Sequence, residues 1–111
     1  MKGDQKIMTG KCKLLKIVVN EDSVCKGNSL YIAVVSRLKS LGVAGATAVR
    51  GIEGYGRRGH INTERILDLS AGLPVVIEAV DSPEKIEGVL HEIEQMLGGG
   101  LIFTMDVDVI K

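Results

Sequence analysis

The sequence predicts an α+β fold built on one antiparallel sheet, and three observations carry that expectation. The chain states the same pattern twice: strand, acidic turn, helix, glycine stop, strand. A length of 111 residues suits one domain with a single core. The two units are separated by a polar insert rich in glycine and arginine, residues 53–72, giving the order β-α-β, insert, β-α-β.

The elements follow in order. Residues 1–11 are polar and are expected to be a flexible N-terminal segment, leaving one domain over 12–111. LLKIVV, residues 14–19, is a β-branched run in which Lys16 alone must reach solvent. NEDSVCKGNS, residues 20–29, reads as a turn-and-cap cluster. In LYIAVVSRLKSLG, residues 30–42, Tyr31, Val34, Val35 and Leu38 fall at helical spacing. Asn28 or Ser29 can cap that helix, and Gly42 can end it in the left-handed conformation. GATAVRGI, residues 45–52, is the second strand, and LPVVIEAV, residues 73–80, the third. Ser82 then serves as N-cap, with Pro83 at the first helical position and Glu84 in an acidic first turn. Ile86, Val89, Leu90, Ile93 and Leu97 form the apolar stripe of this second helix, with Glu87, Glu92 and Glu94 lying elsewhere. Gly98, Gly99 and Gly100 stop it. In the last strand, LIFTMDVDVI (101–110), Met105, Val107 and Val109 alternate with Asp106 and Asp108.

Two such units pack as a ferredoxin-like split β-α-β sandwich, a four-stranded antiparallel sheet with both helices on one face. LLKIVV and LPVVIEAV carry more apolar residues than one covered face needs. A bare apolar face of that size is an interface more often than open surface, so a homo-oligomer with facing sheets is expected.

Composition excludes several functions. Fourteen basic and fourteen acidic residues cancel, so no overall field holds a nucleic acid. Aromatic residues make up 3% of the chain, too few for stacking platforms. Cys12 and Cys25 form no C-x-x-C and read as free thiols of a cytoplasmic protein; Cys25 suits a small packing role. No apolar stretch suits membrane insertion or a signal peptide. His60 and His91 alone make a poor metal set, and neither has a Ser or Cys partner at a spacing that implies nucleophilic catalysis. His91 reads as a surface residue. Glu53, Glu64 and Asp68 read as ion-pair partners of Arg57, Arg58 and Arg65 rather than as an acid and base.

The insert opens with RGIEGYGRRGH, residues 50–60, in which Gly54, Gly56 and Gly59 spell the dinucleotide fingerprint G-x-G-x-x-G. A strand precedes it, INTERILDLS can form a helix after it, and Asp81 lies near the ribose-binding position of that motif. Against a dinucleotide fold stand the complete β-α-β unit before the glycines and the shortness of any following helix. The plain structural reading is that the glycines let an exposed loop turn. The functional reading rests on their company. Arg57, Arg58 and His60 flank freed backbone N–H groups, a combination that suits an anion nest for phosphate. Residues 98–100 offer a second nest, remote in one subunit and able to meet the first only across an interface.

With these residues in view, the chain resembles the PII signal-transduction superfamily from Lys13 onward, and within it the PII-like proteins of unknown function. Gly42, Gly45 and Thr47 match the G-x-x-G-x-T strand, and Gly54-Tyr55-Gly56-Arg57 matches the G-F-G-R that opens the mobile T-loop, one residue later. Gly98-Gly99-Gly100-Leu101-Ile102-Phe103 resembles a shortened B-loop and the strand start that follows it. The resemblance implies a non-enzymatic homotrimer that needs no cofactor and binds a small effector in clefts between subunits. Thr47, Gly54, Gly56 and Arg57, joined by Arg58, would line the cleft. Gly98, Gly99 and Gly100 of a neighbour would hold phosphates. The effector would reposition the loop, which an unidentified protein target, an enzyme or transporter, would sense. Leu101 replaces a phosphate-binding Lys of the family, its C-terminal arginines have no counterpart before Lys111, and Tyr55 takes the Phe position as a packing residue. These departures favour ADP, AMP, a cyclic nucleotide or another anion over ATP. The alternatives are a metal-responsive or structural trimer of the CutA type, with Asp106 and Asp108 as ion ligands, and a small enzyme on the same fold.

Overall fold

The computed structural model describes residues 8–55, 61–63 (backbone only) and 72–111. Strand β1 (Gly10–Asn20) is followed by a two-residue-per-strand hairpin, β2 (Val24–Cys25) and β3 (Asn28–Ser29), then helix α1 (Leu30–Ser40) and β4 (Ala46–Arg50). A short pair, β5 (Glu53–Tyr55) and β6 (Ile61–Thr63), precedes β7 (Pro74–Asp81), helix α2 (Pro83–Met96) and β8 (Leu101–Val109). The main sheet has the order β4-β7-β1-β8, every neighbouring pair antiparallel. Each strand-helix-strand unit therefore leaves one place between its two strands, which the other unit fills. This is the split β-α-β arrangement that the doubled pattern predicts.

One sheet face and the two helices make the core. Leu15, Ile17 and Val19 of β1 and Val75, Ile77 and Ala79 of β7 meet Leu30, Val34 and Leu38 of α1 and Ile86, Val89 and Ile93 of α2. Tyr31, Val35, Leu90 and Leu97 pack at its margin. Outside the core, Arg37 pairs with Glu92 and bridges the helices.

The capping chemistry shows why the helices sit where they do. Ser82 accepts a hydrogen bond from the Lys85 N–H at 3.2 Å, with Pro83 in the first turn. At the end of α1, the Val43 N–H reaches Leu38 O and the Gly42 N–H reaches Lys39 O. Gly42 has φ 88°, so this is a Schellman close, which a residue with a Cβ would strain.

The structure departs from expectation at several boundaries. β1 begins at Gly10 instead of Leu14, so Gly10 and Lys11 belong to the sheet, paired with Val109 and Asp108 of β8. The turn-and-cap cluster contains the β2–β3 hairpin, whose two-residue turn, Lys26 and Gly27, has φ of 50° and 86°. Both signs are positive, the requirement of a turn matched to strand twist. Ser29 stands at the N-cap of α1 but gives no side-chain cap. The hairpin supplies the alternative, because the Leu30 N–H donates to Ser23 O at 2.8 Å.

Candidate functional site

The sheet face away from the helices places the first candidate. The register across the four strands lines up Thr47, Glu78, Lys16 and Phe103 in one row. The next row holds Val49, Val76, Val18 and Leu101, and on the other side stand Val80, Leu14 and Met105. Lys16 and Glu78 pair at 3.3 Å in the middle of this apolar face. Val49, Leu101 and Met105 are each about half exposed. Thr47 borders a groove of about 420 Å³ at the β4 edge, shared with Leu14, Gly45, Glu78 and Val80.

The insert starts just beyond β4. Gly54 lies in β5 and abuts Pro74, the first residue of β7. Ile61, Asn62 and Thr63 pair with β5 as a strand. The helix over INTERILDLS therefore does not begin at Ile61, since residues 61–63 form a strand where a dinucleotide turn calls for a helix start. Gly56, Arg57, Arg58, Gly59 and His60 lie outside the described residues, as do Glu64, Arg65 and Asp68. Tyr55 is exposed rather than packed, with three quarters of its surface open.

Residues 98–100 lie at the same end of the sheet but on the opposite edge. Leu101 pairs with Val18, Asn20 with Pro74, and Val75 with Arg50. Strand β8 and strand β4 are separated by β7 and β1, which places the two edges about 14 Å apart at the usual strand spacing. Thr47 on β4 and the segment leading into β8 therefore stand on opposite edges of one chain's sheet. Gly100 has φ 96°, and a Cβ there would come within 2.7 Å of Val18 O. Backbone contact with β1 thus requires a glycine at this position.

Asp81, near the ribose position of a dinucleotide motif in sequence, serves the fold instead. It is fully buried; its Oδ2 accepts the Ala44 N–H at 2.8 Å and its Oδ1 accepts the Ser82 N–H at 2.6 Å. It ties the end of β7 to the loop entering β4.

Two residues at the mouth of the insert are absent from the sequence-based set. Glu21 Oε1 accepts the Leu73 N–H at 3.0 Å, and Glu21 donates its own N–H to Leu73 O at 2.8 Å. Its Oε2 lies 3.2 Å from Arg50 Nε. One carboxylate thereby contacts the chain on both sides of the insert, and the Gly51 N–H adds a bond to Pro74 O at 2.7 Å. The usable signal was Arg50 itself, the last residue of β4 and the first of RGIEGYGRRGH; nothing in the sequence pairs it with Glu21.

Asp106, a candidate ion ligand, lies 3.4 Å from Lys13 Nζ, which also meets Glu87 at 3.3 Å. Hydrogen bonding to Glu87 first, then to Asp106, holds the Lys13 ammonium above its ordinary 10.5. Among the described residues no group of three or more His, Cys, Asp or Glu is placed to hold a metal ion. His91 sits exposed on α2, and no described helix is long and apolar enough to cross a membrane.

Comparison with known proteins adds a consistent set of relatives. The sequence profile of the DUF190 family (Uncharacterized ACR) matches residues 12–109. A UPF0166 protein of Aquifex aeolicus is 41% identical over 100 residues, which cover 90% of this chain and 94% of that protein. A UPF0166 protein of Methanocaldococcus jannaschii is 40% identical over 102 residues, 91% of this chain and 94% of its own. Among solved structures, a putative PII-like signaling protein of Thermus thermophilus superimposes with a TM-score of 0.66 at 20% identity, covering 94% of both chains. CPII of Thiomonas intermedia, a nitrogen regulatory PII-like protein bound to ADP, AMP and bicarbonate, gives a TM-score of 0.64 at 19% identity, covering 93% of this chain and 99% of its own. The fold is that of the PII-like proteins.

Proposed function

The chain belongs to the DUF190 family, and from that premise we propose that it is a trimeric PII-like regulatory protein. In this reading a small anionic effector, an adenine nucleotide first, binds in clefts between subunits. The observation that carries the reading is the division of the candidate site between opposite edges of one sheet. Thr47 stands on β4 at one edge, with Gly54 beside Pro74 at the start of β7, and Gly98, Gly99 and Gly100 lead into β8 at the other edge. A ring of copies sets one edge against the next copy's opposite edge, so each cleft draws one half of its ligand set from each subunit. The bare apolar face supports the same assembly.

Gly56, Arg57 and Arg58 complete the set as anion donors. Effector binding biases the conformation of the insert, residues 53–72, and a protein target, an enzyme or transporter of the cytoplasm, reads the difference. Leu101 in the place of a family lysine leaves the site poorer in charge, which favours ADP or AMP over ATP. The CutA-type alternative places a metal on the aspartates of β8, where Asp106 already pairs with Lys13.

Light scattering combined with calorimetry tests the proposal. A trimer is expected, together with a melting temperature that rises with ADP, AMP, ATP, cyclic nucleotide or bicarbonate concentration. A monomer would remove the cleft. A trimer indifferent to the whole panel, but stabilised by divalent ions, would transfer the case to the metal reading.

A further inference from the structure

We infer that Arg50 is an anion ligand of this cleft and that Glu21 holds its guanidinium while the cleft is empty; the inference rests on the nucleotide reading above. The geometry is asymmetric. Glu21 is anchored, since its Oε1 accepts the Leu73 N–H, its backbone N–H binds Leu73 O, and its side chain is 23% exposed. Arg50 meets Glu21 Oε2 at 3.2 Å through Nε, and its side chain is 58% exposed. Among the described residues Glu21 is its only ion-pair partner. A guanidinium presents five donors, so the donors left over by Glu21 are available for bidentate contact with a phosphate. Arg50 alternates with Val49 and Thr47, so it leaves β4 on the helix side, at the mouth of the insert. It ends the strand that carries Thr47, precedes Gly54 by four residues, and lies at the end of the sheet where residues 98–100 lie on the other edge.

The ligand class follows from competition. A single carboxylate already satisfies part of the guanidinium, so an anion must offer more charge and more acceptor oxygens to draw it away. A diphosphate does so better than a monophosphate. Glu21 then opposes binding, and the effect of removing it has a sign opposite to that of removing Arg50.

Calorimetry of ADP and AMP on the full-length chain, comparing wild type with Glu21→Gln, Arg50→Ala and Arg50→Lys, tests the inference. Glu21→Gln keeps an oxygen for the Leu73 N–H and loses the charge, and it should tighten ADP by up to about fivefold, the range of an exposed ion pair. Arg50→Ala should weaken ADP about tenfold or more, the loss of a charge-assisted hydrogen bond. Arg50→Lys should fall between wild type and Arg50→Ala, and AMP should respond less than ADP throughout. If Glu21→Gln and Arg50→Ala weaken binding alike, or neither changes it while wild type binds, the pair is structural and the inference alone is overturned. If wild type binds neither nucleotide, the nucleotide reading fails and takes this inference with it. Should Arg50→Ala fail to fold, the opposite shifts of Glu21→Gln and Arg50→Lys still decide the matter.

Discussion

The two faces of the sheet are made by alternate residues of the same strands, yet they stand in opposite conditions. On one face Leu15, Ile17, Ile77 and Ala79 are at most 2% exposed beneath the helices. On the other, Leu101, Phe103 and Met105 of β8 and Val49 of β4 keep 37–55% of their surface open. Both faces are apolar enough to leave water, but among the described residues only the first is covered by the helices. The first face accounts for the folding of one subunit, and the second is surface that a further partner can bury.

Substitutions on each face should separate these roles. The largest effect is expected at the covered face. Ile17→Ala opens a cavity at a position with no exposed surface, and chemical denaturation should show a loss of about 2–5 kcal/mol. Asp81→Ala, at the margin of the same face, leaves the Ala44 and Ser82 N–H groups without their carboxylate acceptor. Its cost should be about 1–3 kcal/mol, measured in the same way. Phe103→Glu belongs to the open face. It should shift the assembly toward monomers by light scattering while costing the isolated subunit no more than about 0.5 kcal/mol. An unchanged oligomer would mean that the open face is not the interface. The smallest effect concerns Lys13, whose pKa is raised by Glu87 and then Asp106. A raised ammonium contributes its full stability below pH 10.5 and loses it as the pH climbs through the higher folded value. Melting temperatures of wild type and Lys13→Met should therefore converge only at strongly alkaline pH.

The same contrast explains what the sequence makes legible. The covered face is local and periodic. Val34 and Leu38 on α1, and Ile86, Val89 and Ile93 on α2, announce themselves by spacing, and Ser82-Pro83 marks a helix start by cap chemistry alone. The β2–β3 hairpin is harder, because a two-residue strand has no period and Lys26 is an unusual residue at positive φ. The edges of the candidate site are legible as glycine clusters. Their separation within one subunit follows from the predicted topology, and the strand order sets Thr47 and residues 98–100 on opposite edges. Glu21 is the least legible, since its partners Arg50 and Leu73 are remote in sequence and the surrounding NED reads as a turn. Asp81 illustrates the opposite case. Its position fits a ribose ligand by spacing, but the backbone N–H groups of Ala44 and Ser82 consume its carboxylate.

The Lys16–Glu78 row carries a consequence for fidelity. A uniformly oily surface would accept almost any other oily surface in almost any alignment, including the wrong copies in the wrong order. A charged pair midway across the face penalises every alignment that leaves an ammonium or a carboxylate against hydrocarbon. The alignments that survive are those in which the opposing surface supplies polar atoms at that height. The same two side chains that weaken the face as an adhesive would then make it discriminating, and they would protect a crowded chain from sticking to the sheets of unrelated proteins.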